Sequence, residues 1–155
     1  MNKEELIKDV LNEYDEKIIA LAQHLGLDLD VDFNADDYET DEEKEEAKNE
    51  AIEELRNTLE DIREGYTCNI FEYYGEEYEI LTDEEADERW EEELQNYIDE
   101  CIIPELPDFA ARYFDEEAWK RDAKFDGRGH SLSRYDGCEY EEKVNDTWFY
   151  IYRQN

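Results

Sequence analysis

Asp28, Asp30, Asp32, Asn34, Asp36 and Glu39 fall on positions 1, 3, 5, 7, 9 and 12 of one window. That is the spacing at which oxygen ligands wrap a calcium ion between two helices. The same chemistry needs glycine at position 6, where the loop turns through a left-handed backbone conformation. This chain has Phe33 there, and its Cβ opposes the turn. Position 8 is Ala35 rather than a larger aliphatic residue, and no second loop follows to pair with the first. Aspartate and glutamate supply 49 of the 155 residues, so acidic strings of this kind arise from composition alone. Calcium or cation binding by residues 28–39 is therefore the alternative function. A surface built to be densely anionic is the leading one.

Other reactive side chains are sparse. His24 falls near the end of a predicted helix, where an imidazole meets the negative end of the dipole, and capping or packing is its expected role. His130 sits in DGRGHSLSRYDG with Arg128 and Arg134. Guanidinium forks and loop amides there could hold a phosphate or carboxylate, but the P-loop spacing is missing and a turn pinned by arginines is preferred. Neither Cys138 nor Ser131 beside His130 carries a hydrolase signature. With no catalytic constellation, the chain is read as a non-enzyme that needs no cofactor. Cys68, Cys101 and Cys138 are odd in number and form no CxxC pair, which fits idle or buried thiols in a reducing compartment. The start, MNKEELIKDV, is charged from its third residue, and no apolar run approaches the ~18 residues of a membrane span. A soluble, cytoplasmic protein is expected.

The elements that would carry these groups follow from periodicity. Asn2 and Glu5 have capping-box spacing, and Leu6, Val10, Tyr14, Ile18, Leu21 and Leu25 recur at helical steps, predicting one helix over 3–25. Thr40 and Glu43 open a second helix, with Ala47, Ala51, Ile52, Leu55, Leu59 and Ile62 as its stripe, closing at Gly65. Period-two alternation from Tyr66 to Leu81 predicts a hairpin turning at Gly75. Thr82 and Glu85 cap a third helix, with Ala86, Trp90, Leu94, Tyr97, Ile98, Cys101 and Ile102 as its stripe and prolines 104 and 107 beyond it. Short helical pieces over 108–113 and 115–124 lead to a last hairpin, Tyr140–Val144 and WFYIY around Asn145-Asp146. The expectation is one domain over 1–155 with an α+β fold, its helices accompanied by a small antiparallel sheet from two hairpins.

The net charge of −33 lies far outside the magnitude of roughly 2–8 that keeps a small domain soluble. Residues 1–104 hold 37 acids and 8 bases (net −29), while 105–155 hold 12 acids and 8 bases (net −4). The first part is an acidic module, and the near-neutral remainder is expected to pack the core or allow a homodimer. Nucleic acid and anionic membranes repel such a chain, so its expected partner is a basic protein, above all one whose groove binds nucleic acid. The carboxylates expected to meet it are Asp36, Asp37 and Glu39 in the loop. On the second helix they are Asp41, Glu42, Glu43, Glu45, Glu46, Glu50, Glu53, Glu54, Glu60 and Asp61; on the third they are Asp83, Glu84, Asp87, Glu88, Glu91 and Glu92. A solubilising or salt-adapted face is the blander account, and it is set lower because a salt-adapted protein retains a site.

The segment FAARYFDEEAWKRD, Phe109 to Asp122, resembles the C-terminal part of ArdA-type antirestriction proteins at Tyr113, Phe114, Asp115, Trp119, Arg121 and Asp122. The closing RGHSLSRYDG and YIYR also look like small phage and mobile-element proteins. ArdA-type proteins are acidic dimers that imitate bent duplex DNA in the groove of restriction enzymes, and phage anti-CRISPR proteins use the same device against Cas nucleases. The resemblance implies an inhibitor of a restriction or CRISPR-Cas nuclease, acting in the bacterial cytoplasm during infection. An acidic regulator or chaperone of a basic host DNA-binding protein is a further alternative.

Overall fold

The computed structural model describes residues 2–155, among which there are seven α-helices and five strands. The α+β architecture holds. The predicted first helix is two: α1 (Lys3–Leu11) and α2 (Glu16–His24). The break comes from Asp15, whose carboxylate accepts from the Lys17 N–H and caps α2, while the Glu13 and Tyr14 amides close α1 onto Val10 and Leu11. A short polar side chain that satisfies an orphan N–H starts a helix as readily as it sits inside one, and here that local bond wins.

Helix α3 (Asp41–Glu60) begins at Thr40 as expected, but it stops short of Gly65. Ile62–Glu64 forms strand β1 instead, pairing antiparallel with β2 (Ile70–Tyr73). Gly65 makes the reversal possible: a Cβ there would sit 2.6 Å from Ile70 Cγ2, and its own N–H donates to the Ile70 carbonyl at 2.7 Å. Strand β3 (Glu76–Thr82) follows through Tyr74 and Gly75, both at positive φ, and runs into α4 (Asp83–Tyr97). Then come a π turn over Ile98–Ile102, a 3-10 turn over Ile103–Glu105, α5 (Asp108–Ala111) and α6 (Glu116–Ala123). The predicted loop around Gly127 and Gly129 contains α7 (Arg128–Leu132). Strands β4 (Tyr140–Val144) and β5 (Thr147–Arg153) close the chain around Asn145 and Asp146, whose positive φ values of 47° and 69° make the tight turn the sequence signalled.

The two hairpins merge. β5 pairs with β3, with Ile80 opposite Ile151, to give one five-stranded antiparallel sheet in the order β1-β2-β3-β5-β4. Alternation then divides the strands' side chains. Phe71, Tyr78, Ile80, Phe149 and Ile151 join Leu6, Val10, Leu21, Leu55 and Leu59 in the main core, so α1, α2 and α3 cover one face of the sheet. Leu81 and Tyr152 point the other way and pack with Ala86, Trp90, Tyr150 and Leu132, so α4 and α7 cover the opposite face. Each fully buried leucine contributes about 1.5–3 kcal/mol relative to an exposed one. No helix among the described residues is long and apolar enough to cross a membrane.

Candidate protein-binding surface

Helix α3 is built to hold its acids outward. The Thr40 hydroxyl accepts from the Glu43 N–H at 3.1 Å, and Asp41, Glu42 and Glu43 place negative charge where the helix dipole is positive. Ala51, Leu55 and Leu59 are buried, and Lys44 and Lys48 fall on the same side, half-buried. Opposite them, Glu42, Glu45, Glu46, Asn49, Glu50 and Glu53 line one shallow, open trough. At 1.5 Å of rise per residue, those five glutamates span about 16 Å with a mean axial step of about 4 Å. One strand of B-form duplex advances about 3.4 Å per phosphate.

None of Asp36, Asp37, Glu39, Asp41, Glu42, Glu43, Glu45, Glu46, Glu50, Glu53, Glu54, Glu60 or Asp61 forms an ion pair among the described residues. The cation nearest in sequence to the ridge's end, Arg56, is turned aside to Glu13 by a fork of 2.8 and 3.0 Å. That bond holds the Glu13 carboxyl below its ordinary range. At the far end of the helix Glu60 accepts from the Tyr14 hydroxyl.

In the structure the oxygens of the 28–39 window are not gathered around a common centre. Val31 and Phe33 are buried in the main core, and the Phe33 ring stacks on Tyr38 at 6.1 Å, so the residue standing at the glycine position pins the chain to α1–α3. Three of the six candidate ligands are engaged locally. Asp28 accepts from the Asp30 N–H, Asn34 from the Asp36 N–H at the head of a 3-10 turn (Ala35–Asp37), and Asp30 is bound by Lys3. Among the described residues no three His, Cys, Asp or Glu side chains are grouped to hold a metal ion. The anchored loop instead delivers Asp36, Asp37 and Glu39 directly ahead of α3, lengthening its acidic row.

Helix α4 differs, although Thr82 and Glu85 make the expected reciprocal capping box. Arg128 on α7 reaches Asp83 at 2.8 Å and Asp87 at 3.0 Å, binds Glu139 at 2.8 Å, and lies 4.6 Å over the Tyr150 ring. Burial alone would lower its pKa, but bonds to Asp83 and the charge of its other anionic neighbours hold it above the ordinary value. Glu91 is bound by Lys120 and Lys124, and the Lys124 bond holds its carboxyl low. Asp83, Asp87 and Glu91 are therefore internal ties, and Glu84, Glu88 and Glu92 are the α4 acids without an ion pair. The expected working surface is divided: the loop and α3 lie together on one side of the sheet, while α4 lies on the other.

Arg128 is committed to carboxylates, and a Cβ on Gly129 would meet the Cys138 and Glu139 backbone at 2.6 Å, so only glycine allows that approach. Ser131 Oγ accepts from the Trp90 indole at 3.0 Å, and the Cys138 thiol is directed to the Asp136 carbonyl oxygen; neither bonds to His130. His24, the last residue of α2, packs against Tyr78 and Tyr140, and burial pushes its imidazole below the usual pKa. All three cysteines are free, and all are exposed rather than buried. Periodicity gave no sign of two bare tyrosines, Tyr66 and Tyr74, which are 81% and 74% exposed in the segments flanking β2. Tyr74 could have been found only by asking why a tyrosine occupies a turn position that favours asparagine. Comparison with protein-family profiles, with characterised proteins and with solved structures gives no match.

Proposed function

We propose that this protein is a phage or mobile-element DNA mimic that occupies the nucleic-acid-binding groove of a restriction or CRISPR-Cas nuclease and inhibits it without catalysis. The observation that carries this is the α3 ridge, a straight row of exposed carboxylates that the protein's own cations do not neutralise. Like charges three and four residues apart cost a few tenths of a kcal/mol per pair. A basic groove repays that cost by replacing repulsion with ion pairs, and neutralising so dense a row of anions releases the counterions gathered on it. The site of action is the bacterial cytoplasm, and the partner is a protein rather than nucleic acid or membrane.

The test is capture of the target from a bacterial lysate, followed by competition with duplex DNA at rising salt. A recovered nuclease that added DNA releases, with affinity falling steeply between about 50 and 200 mM salt, supports mimicry. Salt-insensitive binding at a surface away from the DNA groove overturns it. Recovery of a histone-like protein in place of a nuclease moves the same surface to a regulatory role.

A further inference from the structure

Between α4, the π turn, α6 and α7 lies a cleft of about 630 Å³, inside the range of roughly 300–1,000 Å³ typical of ligand sites. Its apolar wall is Leu94 with Tyr97 and Trp119, whose rings stack with centroids 5.4 Å apart and planes 8° from parallel. Tyr97 is 53% exposed. Glu93, Glu100 and Asp126 also line the cleft. Arg89 ties Glu93, whereas Glu100 and Asp126 have no ion-pair partner among the described residues. Glu100 is carried by the π turn, a widened helical turn that recurs at functional sites.

Four aromatic faces are covered by the protein's own cations: Lys124 over Trp90, Arg128 over Tyr150, Lys143 over Trp148 and Arg153 over Tyr135. The Tyr97–Trp119 stack has no such cover. Parallel rings beside two unpaired carboxylates disfavour an anion and waste a purely apolar ligand, but they match a planar cation. Guanidinium stacks on aromatic faces and donates in a fork to carboxylates, whereas an ammonium is a strongly hydrated point charge that gains less from a flat wall. A second copy of this chain would bring a further −33 of charge against the same carboxylates and is the less favoured occupant.

We infer that this cleft receives an arginine side chain of the basic partner, its guanidinium on the Tyr97–Trp119 stack and its N–H groups donating to Glu100 and Asp126. The inference deepens the proposed function and rests on the partner being basic. It also gives the protein a second contact on the face of the sheet opposite α3.

The experiment is a heteronuclear NMR titration of the full chain at physiological salt with the blocked peptide acetyl-Gly-Arg-Gly-amide, and in parallel its citrulline and lysine counterparts. A saturable shift of the Trp119 indole N–H is expected, about tenfold stronger for arginine than for neutral citrulline. Trp119→Ala should abolish it, and the near-isosteric Glu100→Gln and Asp126→Asn, which keep the wall intact, should each weaken it about fivefold. An equal response to citrulline, or no change in the two polar variants, overturns the inference. So does a Trp119 shift on concentrating the protein alone that arginine does not displace, which would place a second copy in the cleft. Neutralising the α3 ridge should leave the titration unchanged. A cleft that binds arginine in a protein that fails to compete with DNA sinks mimicry alone, and the reverse result sinks the cleft alone.

Discussion

Helices α3 and α4 are alike in acidity and opposite in how that acidity is paired. α3 carries nine acids in twenty residues and α4 eight in fifteen, and both start at a capping threonine over an acidic first turn. On α4 the C-terminal segment supplies Arg128, Lys120 and Lys124, which turn three of the acids into fastenings for α6 and α7. On α3 no cation arrives. A row of carboxylates is thus a tie or an open surface according to what the rest of the fold brings to it, and charge density alone does not distinguish them.

The sharpest way to break this contrast is to neutralise the bare row. Changing Glu42, Glu45, Glu46, Glu50 and Glu53 together to glutamine removes five unpaired charges and no internal contact. Competition with DNA for the captured target should weaken by about a hundredfold, at roughly half a kcal/mol per exposed charge. The melting temperature should rise, because five sources of repulsion are gone. A fall in stability on this substitution would show that α3 is fastened like α4.

On the other face the expected sign is reversed. Arg128→Met leaves Asp83, Asp87 and Glu139 facing one another across a site where the guanidinium was only 11% exposed. Losing one partner of a fully buried pair costs about 3–5 kcal/mol, and the exposure of Asp83 and Asp87 reduces this to about 2–3 kcal/mol. Urea unfolding measures it. Arg128→Lys should recover only part of the loss, since an ammonium cannot fork between three carboxylates. A smaller effect is expected for Glu84→Gln, Glu88→Gln and Glu92→Gln together, which touch no ion pair. Stability should change by less than about 1 kcal/mol, and DNA competition should drop less than for the α3 variant.

What could be read from the chain beforehand was local. The Asn2, Thr40 and Thr82 caps and the Asn145-Asp146 turn each depend on residues within four positions of one another, and each appears where the spacing placed it. The break at Asp15 was also local, but the apolar steps from Leu6 to Leu25 continue through it in register and mask it. Strand β1 could not be read, because Ile62 fits both the α3 stripe and a strand, and the choice rests on its pairing with Tyr73. The candidate surface was half legible. The α3 row from Asp41 to Glu60 needed only helical geometry, whereas the ties of Asp83, Asp87 and Glu91 depend on cations 29 to 45 residues further on. Composition by segment even pointed away from that pairing, since the near-neutral C-terminal part shows no sign that its bases serve α4.

The two sheet faces should differ least, but still in opposite directions, in their response to acid. On the α2 side, burial lowers the His24 pKa from its ordinary 6.5, more than the Glu142 and Asp136 charges raise it. The unfolded chain therefore takes up this proton first, and the native state loses stability as pH falls below 6.5 toward the folded value. On the α4 side, burial raises the Glu79 pKa above its ordinary 4.5, against the pull of Arg89. The native state carries that carboxylate's cost at neutral pH and is relieved of it as pH falls through the raised value toward 4.5. Urea midpoints for wild type, His24→Gln and Glu79→Gln between pH 7.5 and 4.5 separate the two, because the common background of exposed acids cancels in each difference. The wild-type advantage over His24→Gln should shrink on acidification from 7.5, and that over Glu79→Gln should grow nearer 4.5. Parallel slopes would mean that the two faces are equally hydrated, and the contrast between them would then lie in ion pairing alone.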